Sequence, residues 1–179
     1  MKNSFFFILI IIMGLSSCTK DRYANPNVLT EATQSGANTA GALIDGKIWV
    51  ATKNRLNTAN GSGTYCEKYN DNYIIKLDLR SDVNNYSNSI FIKVLIINLE
   101  LNKNYSIINQ DPNSDYNYAI YTDKDGEYYS TESNYVGTIK ISRIDMQNHI
   151  VSGNFEFKAM GDKGTIVNIV DGRFDKRFD

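Results

Sequence analysis

Between Tyr73 and Arg80 the chain alternates with a period of two: Tyr73, Ile75, Leu77 and Leu79 are set against Lys76, Asp78 and Arg80. Successive side chains of a strand point to opposite faces, so this pattern buries one face and wets the other. A helix would repeat every 3.6 residues, and no window longer than a turn or two does so. The same alternation returns downstream. Val151, Gly153, Phe155 and Phe157 face Ser152, Asn154, Glu156 and Lys158, and Val136 to Ile144 places Ile139 and Ile141 inward. In the last segment Val170, Gly172, Phe174 and Phe178 alternate with Asp171, Arg173, Asp175 and Arg177. The run Ser89 to Asn98, interrupted by Lys93, reads as a central strand buried on both sides. Its many β-branched residues argue against helix.

Turn chemistry separates these runs. Asp45-Gly46 between Ala42–Ile44 and Lys47–Val50 is a strong hairpin signal. Asp123-Lys124-Asp125-Gly126 sits between Tyr116–Thr122 and Glu127–Thr131, and Asp162-Lys163-Gly164 precedes the last segment. Ala51 to Asp71 reads as a looser stretch. Plentiful Tyr and Ile suit pleated surfaces, and abundant Asn suits turns. The expected fold is all-β, an antiparallel β-sandwich or small β-barrel of about 8–10 strands.

The first seventeen residues have a different character. Lys2 is followed by Phe5 to Met13, an apolar run of about nine residues, whereas a bilayer-spanning helix needs about twenty. Leu15-Ser16-Ser17-Cys18 comes next and resembles the lipobox of bacterial lipoproteins: a Leu, two small residues, then an obligatory Cys. The resemblance implies cleavage before Cys18, diacylation of its thiol and acylation (palmitate) of the new amine. Several acyl chains give a stable anchor where one gives only marginal binding. The expected organisation is a signal peptide over 1–17, a lipidated flexible tether over 18–39 and an all-β domain over 40–179. About twenty flexible residues span an r.m.s. distance of roughly 25 Å, enough to lift a domain off the headgroups. Thr19 after the Cys is compatible with outer-membrane sorting, periplasmic or surface-facing.

Charge and residue counts exclude several function classes. With 19 Lys+Arg against 20 Asp+Glu the formal charge is −1, and no basic face marks a nucleic-acid partner. The single histidine, His149, lies in a turn-like Gln147-Asn148-His149-Ile150, with no nucleophile beside it for it to serve as base. Zinc sites draw on several His or Cys ligands, so no metal or other cofactor is expected. Asp123 to Glu127 begins like a calcium loop, but the glycine comes too early and Asn134 stands where the bidentate Glu belongs. Cys66 has no intramolecular partner once the Cys18 sulfur is a thioether. It reads as a small buried hydrophobe.

Tyrosine is dense between Tyr105 and Tyr135, interleaved with Asn and Asp. Tyr116 and Tyr118 share a strand face, and Tyr121 and Tyr129 belong to the same hairpin. Rigid amphipathic rings flanked by amides make a candidate surface for a glycan or protein partner. Tyrosine is equally a good strand residue with a wet tip. The expected role is thus a monomeric, non-enzymatic binding or accessory module, held to the membrane by the acyl chains on Cys18. Two alternatives stand beside it: a small envelope glycoside hydrolase with paired carboxylates, and a barrel enclosing a small apolar ligand.

The leader, the polar tether, the run Gly41 to Val50 and the end from Ser152-Gly153-Asn154-Phe155-Glu156-Phe157 to Val170-Asp171-Gly172-Arg173-Phe174-Asp175 resemble small uncharacterised lipoproteins of the Bacteroidetes type. That resemblance implies an outer-membrane-anchored all-β domain and carries over no catalytic residue.

Overall fold

The computed structural model of the chain describes residues 25, 27–52, 63–83, 86–108 and 117–178. Residues 1–17, where a signal peptide is expected, and Cys18 lie outside the described residues. Among the described residues there is no helix, and the strands form one antiparallel sheet. They are β1 (Thr39–Ile44), β2 (Lys47–Val50), β3 (Thr64–Tyr69), β4 (Asn72–Val83) and β5 (Tyr86–Ile97). Then follow β6 (Asn104–Ile107), β7 (Tyr118–Thr122), β8 (Tyr128–Ser130), β9 (Gly137–Asp145), β10 (Ile150–Gly161) and β11 (Ile166–Arg177). The domain is all-β, as the alternation requires, with eleven strands among the described residues.

The strands are ordered β2-β1-β11-β10-β8-β7-β5-β4-β3, and the sheet forks at β10. Residues 150–157 of β10 pair with β9, which carries β6 on its far side, while Met160 and Gly161 pair with β8. The sheet curls until its β2 end returns to β4 and β5. There Thr52 N donates to Arg80 O at 3.0 Å, Asp82 N to Thr52 Oγ1 at 2.9 Å, and Trp49 Nε1 to Asn88 Oδ1 at 2.7 Å. Curling brings the inner faces together around one core. Ile75, Leu77 and Leu79 of β4 meet Ile90, Ile92 and Val94 of β5, with Ile139, Ile141 and Ile169 closing the far side.

Turn residues do what their backbone freedom allows. Asp45 and Gly46 take φ of 47° and 75°, the left-handed pair that a two-residue hairpin turn needs. Asn38, Asn70, Asn98, Asn102 and Asn117 all have φ between 50° and 65°, so the abundant asparagine is spent on left-handed positions.

The two Gly-x-Phe stretches face one another. In the β10–β11 register Gly153 lies opposite Phe174 and Phe155 opposite Gly172. Each ring lies across the other strand's glycine: a Cβ on Gly172 would meet Phe155 ring carbons at 2.5 Å, and one on Gly153 would meet Phe174 Cζ at 2.9 Å. The rings themselves pair at 6.3 Å and 31°, a geometry worth about 1 kcal/mol beyond the area buried.

Several expectations are corrected. The run 89–98 is buried on one face only: Ile90, Ile92, Val94 and Ile96 are inside, while Ile97 is 64% exposed. Val170 is not inward. β11 is bulged between Ile169 and Gly172, which flips the alternation and leaves Val170 39% exposed. The stretch 51–71 contains β3, which pairs with β4 and turns Thr64 and Cys66 inward.

The expected tether 18–39 is not all tether. Residues 29–38 form a strap pinned to β11 by Asp175, a carboxylate 1% exposed. Its Oδ2 accepts from Thr33 Oγ1 (2.7 Å), Ser35 N (2.9 Å) and Ala37 N (3.0 Å), and its Oδ1 from Gly36 N (2.8 Å) and Ser152 Oγ (2.7 Å). Arg173 Nη1 donates to Thr30 O at 3.1 Å, and Arg143 to Gln34 O. Burial alone would raise the Asp175 pKa. The donors from Ala37, Thr33, Ser152 and Gly36 outweigh it and hold the group at about 2.

Candidate functional site

The β7–β8 hairpin sorts the candidate tyrosines by parity. Along β7, Ala119 and Tyr121 face the core, whereas Tyr118, Ile120 and Thr122 face outward. Tyr118 and Tyr121 are three residues apart, and an odd spacing in a strand places side chains on opposite faces. Tyr121 lies directly across from Tyr129, with ring centroids 5.8 Å apart and planes at 33°. Both are core residues, at 8% and 6% exposure. Burial, with smaller contributions from Asp123 and Tyr129, pushes the Tyr121 phenol up to about 12. These two rings therefore offer no stacking face to a partner. Tyr116 lies outside the described residues, and Tyr128 is 64% exposed at the hairpin end.

Tyr118 belongs to another constellation, on the outer face of β3, β4, β5 and β7. Register brings Tyr65, Lys76, Lys93 and Tyr118 into one row across the four strands, spanning about 14 Å at the usual strand spacing. The next row holds Asp78, Phe91 and Ile120. Phe91 and Tyr118 stack at 5.8 Å and 30°, and Lys76 Nζ stands 5.8 Å over the Phe91 ring. Asp78 is occupied by Arg80, whose Nε and Nη2 donate to its two oxygens at 3.0 Å each. Lys76 and Lys93 lie directly opposite each other. Two stacked rings beside paired cations form a flat surface able to hold a ring by its face and a polar or acidic substituent by its edge.

In the sequence Lys76 and Lys93 read only as polar positions of apolar strands, and Phe91 carries no functional mark of its own. Their signal is that Phe91 and Lys93 fall on the non-core parity of an apolar strand, where a cation marks the wet face.

The other chemical groups have structural duties. Asp123 Oδ1 accepts from Asp125 N and Glu127 N, both at 2.9 Å, which builds the hairpin turn. Its Oδ2 takes the Tyr129 hydroxyl at 3.4 Å, with the Glu127 carboxylate alongside. His149, at φ 54°, stacks on Phe178 at 5.5 Å and 7°. Cys66 is 4% exposed, and burial pushes its thiol up to about 12. Among the described residues no group of three His, Cys, Asp or Glu is placed to hold a metal ion.

A shallow groove crosses the outer face of β9, β10 and β11. One part, of about 420 Å³, is walled by Val136, Val170, Thr138 and Lys158. The other, of about 230 Å³, is polar and holds Asn104, Lys140, Asn154 and Asp171. Glu156 and Thr138 line both.

No curated protein and no solved structure matches the chain. A family model described as Domain of unknown function (DUF6252) matches residues 36–176, from Gly36 of the strap through nearly the whole of β11. The chain therefore belongs to the DUF6252 family.

Proposed function

We propose that the chain is a lipid-anchored lipoprotein of the outer membrane, of the Bacteroidetes type, acylated at Cys18. Its domain acts as a non-enzymatic binding or accessory module toward a glycan or protein. The leader and the Leu15-Ser16-Ser17-Cys18 motif support the anchor. The observation that carries the binding reading is the outward Phe91–Tyr118 stack with Lys76 over it and Lys93 beside it. Immobilised neutral and acidic glycans, tested against the wild-type chain and its variants, examine this placement. Tyr118→Ala and Phe91→Ala are each expected to weaken binding about 3- to 10-fold, the value of one aromatic contact, while Tyr128→Ala leaves it unchanged. Full binding by both the Tyr118 and the Phe91 variants rejects the surface.

The paired-carboxylate hydrolase has one observation in its favour, the placement of Asp123 and Glu127 beside one tyrosine hydroxyl. Glycan cleavage by the wild type that Glu127→Gln abolishes would establish that reading instead.

A further inference from the structure

We infer that the domain lies on the membrane through the outer face of β2, β1 and β11, and so presents the Phe91–Tyr118 face away from the lipid. The inference rests on the anchor reading of Cys18 and adds an orientation to it.

Three observations carry it. First, the strap fixes where the chain leaves the domain. Asp175 clamps Thr33 to Ala37, Arg173 holds the Thr30 carbonyl, and Leu29 and Thr30 lie over Gly41 of β1. The exit is therefore on the outer face of β1, at Val28, itself 59% exposed. Second, little chain remains beyond it. Only residues 19–27 separate Cys18 from Val28, a span of at most about 35 Å fully extended. A longer, unpinned tether would let any face approach the lipid. This one keeps the exit face near it.

Third, that face is apolar. Leu43 pairs with Ile48 on one side and Val170 on the other, and Ile48 and Val170 are 45% and 39% exposed. Val136, 45% exposed, continues the stripe across the groove. Exposed Lys158, which lines the groove with Val170, flanks it, with a stem suited to lie along apolar surface while its ammonium group reaches lipid phosphates. Asp171 lies at the polar end of the groove and marks the edge of the face, and Glu156 lines both parts of the groove.

The strand path then sets what points outward. From β1 the sheet runs through β11, β10, β8, β7 and β5 to β4, which returns to the end of β2. β5 and β7 are halfway round the curl from β1 and β11, so their outer face turns away from whatever β1 rests on.

The test uses the full acylated chain in vesicles of phosphatidylethanolamine and phosphatidylglycerol with brominated acyl chains, which quench nearby tryptophan. Trp49 is 6% exposed and common to all variants, so it gives a constant background. Ile48→Trp and Val170→Trp are expected to lose about half or more of the added fluorescence, as residues seated at the headgroup–acyl boundary do. Tyr118→Trp is expected to lose none. Vesicle flotation separates the two ways of failing. Protein that does not float overturns the anchor reading and the orientation with it. Protein that floats overturns the orientation alone if the Ile48→Trp and Val170→Trp variants stay unquenched, or if Tyr118→Trp is quenched as much as they are. A dimer that shields the same positions without lipid assigns the face to a second copy and likewise overturns it.

Discussion

Asp175→Asn removes the charge that pins the strap while preserving side-chain shape. The amide can present only one acceptor oxygen. If its NH2 replaces Oδ2, it faces the N–H groups of Ser35 and Ala37. If it replaces Oδ1, it faces Gly36 N–H and the Ser152 hydroxyl, and only the hydroxyl can rotate to accept. Either choice leaves at least one buried donor unmet, and the expected loss at pH 7 is about 3 kcal/mol. For a domain of this size that lowers Tm by roughly 10 °C.

The pH dependence supplies an internal control. The folded-state pKa is depressed from 3.8 to about 2, so the charge stabilises the fold fully above the unfolded value. That stability, about 2 kcal/mol by linkage, is lost as pH falls from about 4 toward 2. The gap between wild type and variant should narrow over that window. Urea unfolding followed by Trp49 fluorescence at pH values of about 7, 4 and 2.5, chosen to bracket the titration, measures it, and amide exchange at Gly36 and Ala37 reports the strap. A gap below about 0.5 kcal/mol at pH 7, or one independent of pH, refutes the assignment of Asp175 as the clamp.

The packing sets the other outcomes. Gly172→Ala drives a methyl into the Phe155 ring at 2.5 Å and into strand backbone, and should cost about 3 kcal/mol or more by denaturant unfolding. Gly46→Ala, at a φ of 75° in open space, should cost only about 1 kcal/mol in the same assay. Cys66 should ignore Ellman's reagent at about pH 8 in a Cys18→Ala chain and react fully in guanidinium, because burial holds its thiol protonated. Tyr121→Ala should destabilise by about 3–5 kcal/mol, and Tyr118→Ala by about 1 kcal/mol or less; equal losses would contradict the face assignment.

How far the sequence could be read depended on whether local pattern alone decides the outcome. The Asp45-Gly46 hairpin, the 73–80 strand and the hairpin around Asp123 to Gly126 are local, and each was legible. The inward set of β10 was legible for the same reason. Val170 was not, because a bulge shifts parity by one residue and no composition marks it. Asp175 occupies an outward position of β11 and reads as a wet residue; it is dry only because a segment 140 residues earlier folds over it. The strap itself looked like tether, being polar and aperiodic, since its stability comes from backbone donors meeting one carboxylate rather than from apolar burial. The candidate surface was half legible. The spacing of Tyr118 and Tyr121 already placed them on opposite faces, but which face is inside depends on the pairing of Tyr121 with Tyr129. The partnership of Tyr118 with Phe91 needs the β5–β7 register, and nothing within either strand specifies that.

The proposed location and orientation both depend on Cys18, and intact mass spectrometry of the protein purified from membranes tests it most directly. The expected species begins at Cys18, lacks residues 1–17, and carries a diacylglyceryl thioether and an amide-linked acyl chain. A species retaining the leader, or starting elsewhere with a free thiol at Cys18, contradicts the account.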